Sequence, residues 1–558
     1  MLKVLRIFHK DLNDIHHAAF WLGVFAILSG VLGLFRDRML AGLFGASSVL
    51  DIYYSAFRVP DFIYTLMLFF TSVTAIIPMF LKSRDDGEKD VEKFTFSLIM
   101  FFSFIVAVIS LVAFFLMPKI SEFLFPGFSG SEKKISSDLA RIMLLSPILL
   151  GFSNIFSGIL QSVKRFFAYA MSPVFYNLGI IFGILFFLPI FGIKGLAYGI
   201  ALGAFLNMAI QIPSLFGSGF SVKLVKLDFK KIKNLVVNSM PRTIGLAVNQ
   251  ISLLIFTALA STLSAGSIAV FNLSQNLGYL PTTIIGLSYS VAAFPAMASF
   301  SLKKEKTNFE EYFSSAFRHI IFWTAPFSAL LLVLRAQIVR VILGSGVFSW
   351  QDTRLTAASL FLFSLAIIFQ SLFLLLVRAF YAEGEVKRPL FINIISAIFS
   401  VFSVFIFLKA FLPGTWFSLY LSSVLDISDI ADIRVLSLPF GILLGSIFNL
   451  IFLLIAFKKT FGWFPLKNAK KLTMEIFFSS FLGGVAAHYS LRLFSGIFDL
   501  HTFSGVFSQG FLSGILGIAV IILTLYILRS QEFFEVVSSF KKSVFKTRVP
   551  APEPEKLP

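Results

Sequence analysis

Apolar runs of about 20 residues recur along the chain from residue 16 to residue 530, and short polar stretches separate them. A helix of that length crosses the hydrocarbon core of a bilayer, which is roughly 30 Å thick. The pattern therefore predicts an all-α polytopic membrane protein with about fourteen transmembrane helices. The predicted spans are 16–38, 48–81, 94–117, 137–162, 167–189, 194–216, 236–261, 265–299, 313–335, 355–380, 387–411, 434–457, 472–494 and 503–529.

Lys and Arg are concentrated in alternate loops between these spans, for example in residues 82–93, 223–233 and 458–471. Cytoplasmic loops of membrane proteins carry such an excess of basic residues. We therefore predict that both termini lie in the cytoplasm, in agreement with an even number of spans. The segment 412–433, which contains three aspartates, then lies outside.

Two spacings recur in the two halves of the chain. Gly45 precedes Pro60 by 15 residues, and Gly266 precedes Pro281 by the same 15 residues. Further along each half, Pro-x-Phe-x-Asn recurs at residues 173–177 and 389–393. Coincidence in a Phe-rich chain is one interpretation, and duplication is the one that we favour. Duplication predicts two parallel six-helix repeats, with a substrate site between them near the membrane midplane.

This organisation divides the chain into six predicted segments. Two lobes of six helices each form the main body, and the last two helices lie outside the duplication. The segments are a cytoplasmic amphipathic lead-in at 1–15, an N-terminal lobe at 16–217, a basic cytoplasmic linker at 218–235, a C-terminal lobe at 236–457, the additional helices at 472–529 and a cytoplasmic tail at 530–558.

The composition excludes several classes of function. Hydrophobic residues make up 57% of the chain and charged residues 14%, and the absence of cysteine excludes disulfides, thiol catalysis and Cys-ligated metal sites. The net charge of +18 is distributed over loops between spans, which argues against a nucleic-acid partner. The sequence contains no Walker-type phosphate loop and no HExxH motif. We therefore predict a transporter rather than an enzyme, with no cofactor and no metal.

Ionisable residues inside predicted spans are costly in lipid, and they usually face a cavity or one another. The first two spans contain most of them: Arg36, Asp37, Asp51, Arg58 and Asp61. One interpretation pairs Arg36 with Asp51 and so joins the two helices. The other makes Arg36 and Arg58 donors to an anionic head group, because a guanidinium matches phosphate oxygens in a bidentate fork.

The second half of the chain offers mostly neutral amides in its corresponding spans. These residues are Arg242, Asn249 and Gln250 in the seventh span and Asn272, Gln275 and Asn276 in the eighth. A cavity that they line would hydrogen-bond sugar or peptide groups. The alternative interpretation is that these amides bond one helix to another.

Motifs in order along most of the chain are similar to those of a known family. They include Ser29-Gly-Val-Leu-Gly33 with Arg36-Asp37, Phe44-Gly-Ala46 with Asp51, Phe125-Pro-Gly-Phe128, Gly158-Ile-Leu-Gln161, Gly195-Leu-Ala-Tyr-Gly199, Asn249-Gln250, Gly344-Ser-Gly-Val-Phe348 with Asp352, and Arg378-Ala-Phe-Tyr-Ala382. The chain thus resembles the MurJ (MviN) lipid II flippases of the MOP exporter superfamily.

The resemblance implies a V of two six-helix lobes and a groove at the last two helices for a polyprenyl tail. It implies a cationic cavity that takes the pyrophosphate and sugar head group of lipid II from the inner to the outer leaflet of the bacterial cytoplasmic membrane. Arg36, Asp37 and Asp51 match family positions of functional importance, and Arg58 matches a basic one. The implied partners are lipid II or a related polyprenyl-diphosphate lipid, membrane lipids and the cell-wall synthesis machinery.

Several positions that carry a charge in the family are neutral in this chain. They are Gly30, Tyr64, Phe69, Phe256, Gln275 and Asn276. Three functions remain open at this point. The leading one is a lipid II flippase that works by alternating access, without ATP, in cell-wall biosynthesis. The others are an exporter of another polyprenyl-diphosphate-linked oligosaccharide and a non-transporting scaffold of the cell envelope.

Overall fold

The structure is a computed structural model that describes residues 15–71, 76–77, 79–80, 82–83, 87–163, 165–215, 227–463 and 470–544, and these are almost entirely helical. The first half contains α1 (Ile15–Phe44), α2 (Ser48–Thr71), α3 (Glu88–Leu124), α4 (Gly130–Met143), α5 (Leu145–Ser162), α6 (Phe166–Phe182), α7 (Leu188–Phe191), α8 (Lys194–Ala209) and α9 (Ile212–Leu215). A π-helical turn, Gly183–Phe187, joins α6 to α7.

The second half has the same all-helical character. It contains α10 (Phe229–Ser261), α11 (Ser267–Pro281), α12 (Ser288–Leu302), α13 (Lys306–Val333), α14 (Arg335–Leu343), α15 (Trp350–Ala382), α16 (Lys387–Ala410), α17 (Trp416–Leu425), α18 (Ser437–Phe461), α19 (Lys470–Ser495), α20 (Phe503–Ile527) and α21 (Gln531–Val544). The predicted all-α class is confirmed.

Eleven stretches of the described chain are long and apolar enough to cross a membrane. They run through α3, α4 with α5, α6 with α7, α8 with α9, α10, α11 with α12, α13, α15, α16, α18 and α20. The first, second and thirteenth predicted spans coincide with α1, α2 and α19, whose apolar runs are interrupted by charged residues. The total of fourteen therefore stays a prediction.

Some predicted segments fall outside the described residues. The lead-in before residue 15, the first half of the basic linker at 218–226 and the tail after residue 544 belong to this group. The boundaries between the two lobes rest on the sequence repeat alone, and they also stay a prediction.

The first of two compact units comprises the described parts of Met1–Leu280, Val339–Phe363 and Val386–Asn449. In it α1 packs along α6, and α2 packs along α10. The α6 and α8 backbones touch where small residues face each other, since a Cβ atom added to Gly179 would lie 2.3 Å from the Cα atom of Gly203. Close approach through glycine is typical of helix packing in membranes.

The second compact unit comprises the described parts of Pro281–Ile338, Ser364–Glu385 and Leu450–Pro558. Here α13 packs on α19, which packs on α20. Aromatic rings fill part of its interior, with Phe457 stacked on Phe313 at 4.7 Å and on Phe461 at 4.2 Å between ring centroids. The surface helix α21 is held to α13 by a salt bridge of 2.9 Å between Arg318 and Glu532.

Candidate functional site

Two glycine turns of the first unit lie in direct contact. Gly45 and Gly266 both adopt left-handed backbone angles, with φ of +63° and +89°, and each precedes the first residue of the following helix by three residues or fewer. Only glycine adopts such angles without steric cost. A Cβ atom added to Gly266 would lie 2.0 Å from the carbonyl oxygen of Ala46. The repeat therefore marked two equivalent turns, and they touch.

Asp51 bonds the second of these turns from the first turn of α2. One carboxylate oxygen accepts the backbone N–H of Gly266 and the other accepts that of Ala269, both at 2.7 Å. The side chain is 4% exposed. These are the unpaired N–H groups at the start of α11, where the helix dipole favours a negative charge. Asp51 is thus an N-terminal cap supplied by another helix.

A third segment completes this contact. The Arg38 guanidinium donates to the carbonyl oxygen of Val341 at 2.5 Å, and the backbone N–H of Val347 donates to the carbonyl of Gly42 at 2.9 Å. The Asp352 carboxylate accepts the N–H of Ala46 at 3.4 Å. We call this group the turn cluster; its members are Arg38, Gly42, Gly45, Ala46, Asp51, Gly266, Ala269, Val341, Val347 and Asp352. Three chain segments are therefore bonded together at one end of the helices.

Arg36 is bound to its neighbour in sequence. Its guanidinium donates to one oxygen of Asp37 at 2.8 and 3.0 Å and to the side-chain oxygen of Asn177 at 3.2 Å. The other oxygen of Asp37 accepts from Asn276 at 2.9 Å. The predicted pairing of Arg36 with Asp51 is therefore wrong, because the backbone of α11 takes both oxygens of Asp51.

Arg58 is buried and is hydrogen-bonded to neutral groups. Its guanidinium donates to the hydroxyl oxygen of Thr257 at 2.7 Å and to the side-chain oxygen of Asn272 at 2.6 Å, and the residue is 6% exposed. Within the described chain it forms no salt bridge. A buried cation without a salt bridge is costly, and ionisable residues inside the membrane usually belong to functional sites.

Asp61 follows Arg58 by one helical turn and is half-buried. Its carboxylate interacts electrostatically with Arg58 and with the hydroxyl groups of Tyr64 and Tyr176. It forms no side-chain hydrogen bond with any residue that the structure describes. The first unit thus contains an acidic and a basic side chain close together, neither of them in a salt bridge.

The remaining predicted residues are less engaged. Asn249 is exposed and Gln250 is half-buried on α10, and within the described parts of the chain neither forms a hydrogen bond. Gln275 is buried, and its amide nitrogen has no partner among the described residues. The side chain of Arg242 lies outside the described part of the structure. The structure thus brings together Arg36, Asp37 and Asn276, and it places Asp51 and Arg58 against the start of α11.

One partner of Arg58, Asn272, was among the amides that the sequence offered for a cavity, and the other, Thr257, was not. Thr257 precedes Gly266 by nine residues, as Arg36 precedes Gly45, and Asn272 follows Gly266 by six residues, as Asp51 follows Gly45. Arg58 therefore contacts the repeat counterparts of Arg36 and Asp51. Alignment of the two repeats on Gly45 and Gly266 could therefore have pointed to Thr257 and Asn272.

Comparison with known proteins places these residues in a family. The family model described as lipid II flippase MurJ matches residues 40–508. A probable lipid II flippase MurJ of Buchnera aphidicola subsp. Acyrthosiphon pisum is 30% identical over 400 residues, which are 70% of this chain and 78% of that protein. One from Thermotoga maritima is 28% identical over 68% of this chain and 76% of that protein.

Solved structures agree on the fold. A lipid II flippase MurJ in an inward closed conformation aligns with a TM-score of 0.72 at 21% identity, over 94% of this chain and 99% of that one. An inward-facing MATE-family multidrug resistance transporter of the MOP superfamily aligns with a TM-score of 0.65 at 15% identity, over 78% and 94%. The family model covers most of the chain and the relatives cover two thirds of it or more, so the chain belongs to the lipid II flippase MurJ family.

Proposed function

We propose that this protein moves lipid II from the inner to the outer leaflet of the bacterial cytoplasmic membrane by alternating access, and so supplies cell-wall biosynthesis. Family membership supports this proposal, since the relatives are named as lipid II flippases. Such a protein is a transporter and breaks no covalent bond. Its task is to shield a charged head group from the hydrocarbon while the lipid tail stays in the membrane.

The buried Arg58 is the observation that supports a diphosphate substrate most directly. Its hydrogen-bond partners, Thr257 and Asn272, are neutral, and the nearby carboxylate of Asp61 forms no salt bridge with it among the described residues. A diphosphate supplies several negatively charged oxygens, and bonds from arginine to phosphate are stronger than those to neutral acceptors. A head group that reaches Arg58 would therefore exchange weak partners for strong ones.

Arg36 has a secondary part in this proposal. Its salt bridge with Asp37 already neutralises it, and its side chain is 21% exposed. Only its remaining donor capacity is available to a ligand. We therefore assign the main grip on the diphosphate to Arg58, and to Asn276 and Gln275 the hydrogen bonding of sugar or peptide groups.

The turn cluster is the proposed gate. If both termini are cytoplasmic, as the basic loops predict, the turns at Gly45 and Gly266 lie on the outer side of the membrane. Release of lipid II to the outer leaflet then requires these turns to separate. Breaking the Asp51 cap would cost about 1–2 kcal/mol, which the binding energy of a substrate can supply.

Complementation tests the proposed function. The protein is expressed in a bacterial strain whose own lipid II flippase can be depleted, and we expect it to restore growth. Arg58→Ala should abolish the rescue, and Lys194→Ala, which removes an exposed cation at the start of α8, should leave it intact. Failure of the correctly inserted wild-type protein to restore growth would overturn the proposal, as would full rescue by Arg58→Ala.

The absence of cysteine from the sequence makes the predicted orientation simple to test. Single cysteines at the exposed positions Ser131, at the start of α4, and Asn308, at the start of α13, lie at helix ends that we assign to opposite sides. A membrane-impermeant thiol reagent added to intact cells should label Ser131→Cys and not Asn308→Cys. The reverse pattern would contradict the orientation.

A further inference from the structure

The helix α17 is too short to cross a membrane. It is an apolar helix of ten residues, Trp416–Leu425, between the spans of α16 and α18. At 1.5 Å per residue it covers about 15 Å, half the thickness of the hydrocarbon core. It begins at Thr415, whose hydroxyl accepts the N–H of Ser418, and ends at Asp426 in a left-handed conformation. Both ends are therefore defined by local caps.

The polarity of this helix is inverted relative to that of a helix on a soluble protein. Its buried residues are Ser418, Ser422 and Leu425, and, apart from Ser423, its exposed side chains are large and apolar. The exposed ones are Trp416, Leu419, Tyr420 and Val424, with Trp416 77% exposed. A helix in water would turn such a stripe inward. The outward face is therefore suited to an apolar environment.

The exposed stripe has the composition of a membrane interface. Trp416 and Tyr420 are stacked in parallel with ring centroids 5.7 Å apart. Trp and Tyr are enriched at the boundary between acyl chains and head groups, where an apolar ring and a polar edge are both accommodated. On the inner side, Phe417 packs edge-on against Phe411 at 5.2 Å. The aromatic residues thus both fix the helix and face outward.

The exposed stripe continues the apolar surface of the preceding span. On α16 the side chains of Phe402, Phe405 and Ile406 are exposed, and Leu412 is exposed directly after its end. A transmembrane helix exposes such residues to lipid. The lipid-facing surface of α16 therefore continues toward the outward face of α17, with the exposed Lys409 in the last turn of α16 between them.

A segment of alternating character follows α17. In the sequence Asp-Ile-Ser-Asp-Ile-Ala-Asp-Ile at 426–433, every isoleucine is buried and Asp426 and Asp429 are exposed. Asp429 forms a bidentate salt bridge with Arg354 at the start of α15, with one contact of 2.8 Å. The segment is therefore both packed and ion-paired to the unit.

The last aspartate of this segment faces the turn cluster. Asp432 accepts from the Arg434 guanidinium at 2.7 Å, and its carboxylate faces the backbone N–H of Ser264, two residues before Gly266. Arg354 and Asp352, which bonds Ala46, belong to the same first turn of α15. Residues 426–433 therefore contact Ser264 and Arg354, each of which lies two residues from a member of the turn cluster.

We propose that α17 lies in the membrane–water interface with Trp416, Leu419, Tyr420 and Val424 among the lipids, and that residues 426–433 tie it to the turn cluster. The occupant of the exposed face is the lipid surface on the side of the membrane where the turn cluster lies. The lipid surface thereby holds the turns before α2 and α11 at a fixed depth. The proposal requires a membrane-spanning chain, and it is independent of the substrate.

Tryptophan fluorescence tests the location of α17. The chain contains five tryptophans, so replacement of Trp21, Trp323, Trp350 and Trp463 by Phe leaves Trp416 alone. The full-length variant is placed in vesicles whose acyl chains carry bromine at a shallow or a deep position. We expect strong quenching by shallow bromine, weaker quenching by deep bromine and little quenching by iodide present on both sides of the membrane.

A matched control uses the neighbouring segment. With Trp416 also replaced by Phe, Ser428→Trp places the single tryptophan at an exposed position among the aspartates. We expect iodide to quench this residue and bromine to leave it unchanged. If Trp416 gave the same result as this control, α17 would lie in water and the proposal would be overturned.

A second measurement requires one substitution only. Spin labels on Leu419→Cys or Ser428→Cys in the cysteine-free chain report their collision rates with oxygen, which concentrates in lipid, and with a water-soluble nickel complex. The label at residue 419 should collide at least several-fold more often with oxygen, relative to nickel, than the label at residue 428. Equal ratios or the opposite order would overturn the proposal even if the fourfold tryptophan replacement failed to fold.

Discussion

The Asp51 carboxylate and the backbone N–H of Ala269 are 2.7 Å apart, although 218 residues of sequence separate them. The second oxygen of the same carboxylate holds the N–H of Gly266. A side chain from the second helix of the first predicted repeat thus caps the second helix of the other. This single residue links the two sequence repeats at one end of the first unit.

Removal of this cap should weaken the proposed gate. Asp51→Asn loses the negative charge and one acceptor oxygen, so we expect the closed form to lose about 1–2 kcal/mol, a factor of about 5 to 30 in its population. Spin labels at the exposed residues Leu43 and Ser264 measure the separation of the two turns. The variant should show a larger fraction of long distances than the wild type does. An unchanged distance distribution would contradict the role of Asp51.

Arg58 should dominate the affinity for the head group. Arg58→Ala removes charge-assisted hydrogen bonds worth about 1.5–3 kcal/mol, so binding of lipid II to purified protein should weaken about 10- to 150-fold. Arg58→Lys keeps the charge and loses the bidentate fork, so its affinity for lipid II should lie between that of the wild type and that of Arg58→Ala. Lys194→Ala serves as the charge-matched control. Equal affinities of the wild type and Arg58→Ala would contradict the proposed site.

Asp61 should oppose binding of an anion. Its carboxylate stands one helical turn from Arg58, and a nearby negative charge repels a diphosphate. Asp61→Asn should therefore tighten the binding of lipid II roughly 3- to 10-fold at low ionic strength, with a smaller effect in high salt. Weaker binding by Asp61→Asn would instead mean that the carboxylate contacts the ligand favourably.

The hydrogen bond between Asp37 and Asn276 should be measurable as a coupling free energy. A double-mutant cycle with Asp37→Ala and Asn276→Ala should give about 1–2 kcal/mol, because the acceptor is a buried carboxylate. Asn249→Ala offers a control, since Asn249 is exposed, and its effect on unfolding should be additive with that of Asp37→Ala. Additivity in both cycles would show that the bond contributes nothing to stability.

The salt bridge of Asp429 should depend on pH in a defined direction. The Arg354 guanidinium donates hydrogen bonds to Asp429 and holds the pKa of that carboxyl below its ordinary value. Its contribution to stability is therefore present above the unfolded pKa of about 4 and is lost as the pH falls through the lower pKa of the folded state. The difference in Tm between the wild type and Asp429→Asn should shrink between pH 6 and pH 3. A difference that grows on acidification would contradict this assignment.

The elements of this fold were predictable because their signals are local. Apolar runs identified the helices, and the shared spacing from Gly45 to Pro60 and from Gly266 to Pro281 identified the two equivalent turns. The limit of the first span was less accurate, because the prediction ended at the charged residues 36–38, whereas α1 continues to Phe44. Specific hydrogen-bond and ionic partners offset the cost of burying those charges, and a hydropathy profile contains no information about such partners.

The partners of the charged residues were not predictable from proximity in sequence. Asp51 has an arginine available in the preceding helix, but it bonds backbone N–H groups that only the contact of two distant turns brings within reach. Arg58 likewise bonds Asn272, which the sequence offered only as one of several amides, and Thr257, which is uncharged and was not named as a candidate. Both outcomes follow from tertiary packing, and the repeat register was the one sequence signal for them.

Translocation of lipid II by the purified protein tests the central claim most directly. Fluorescent lipid II is placed in the inner leaflet of vesicles that contain the wild type, Arg58→Ala or Lys194→Ala, and its arrival in the outer leaflet is followed with an impermeant quencher. We expect transfer by the wild type and Lys194→Ala, and none above empty vesicles with Arg58→Ala. Transfer by the wild type no faster than in empty vesicles, or equally fast transfer by Arg58→Ala, would contradict the account.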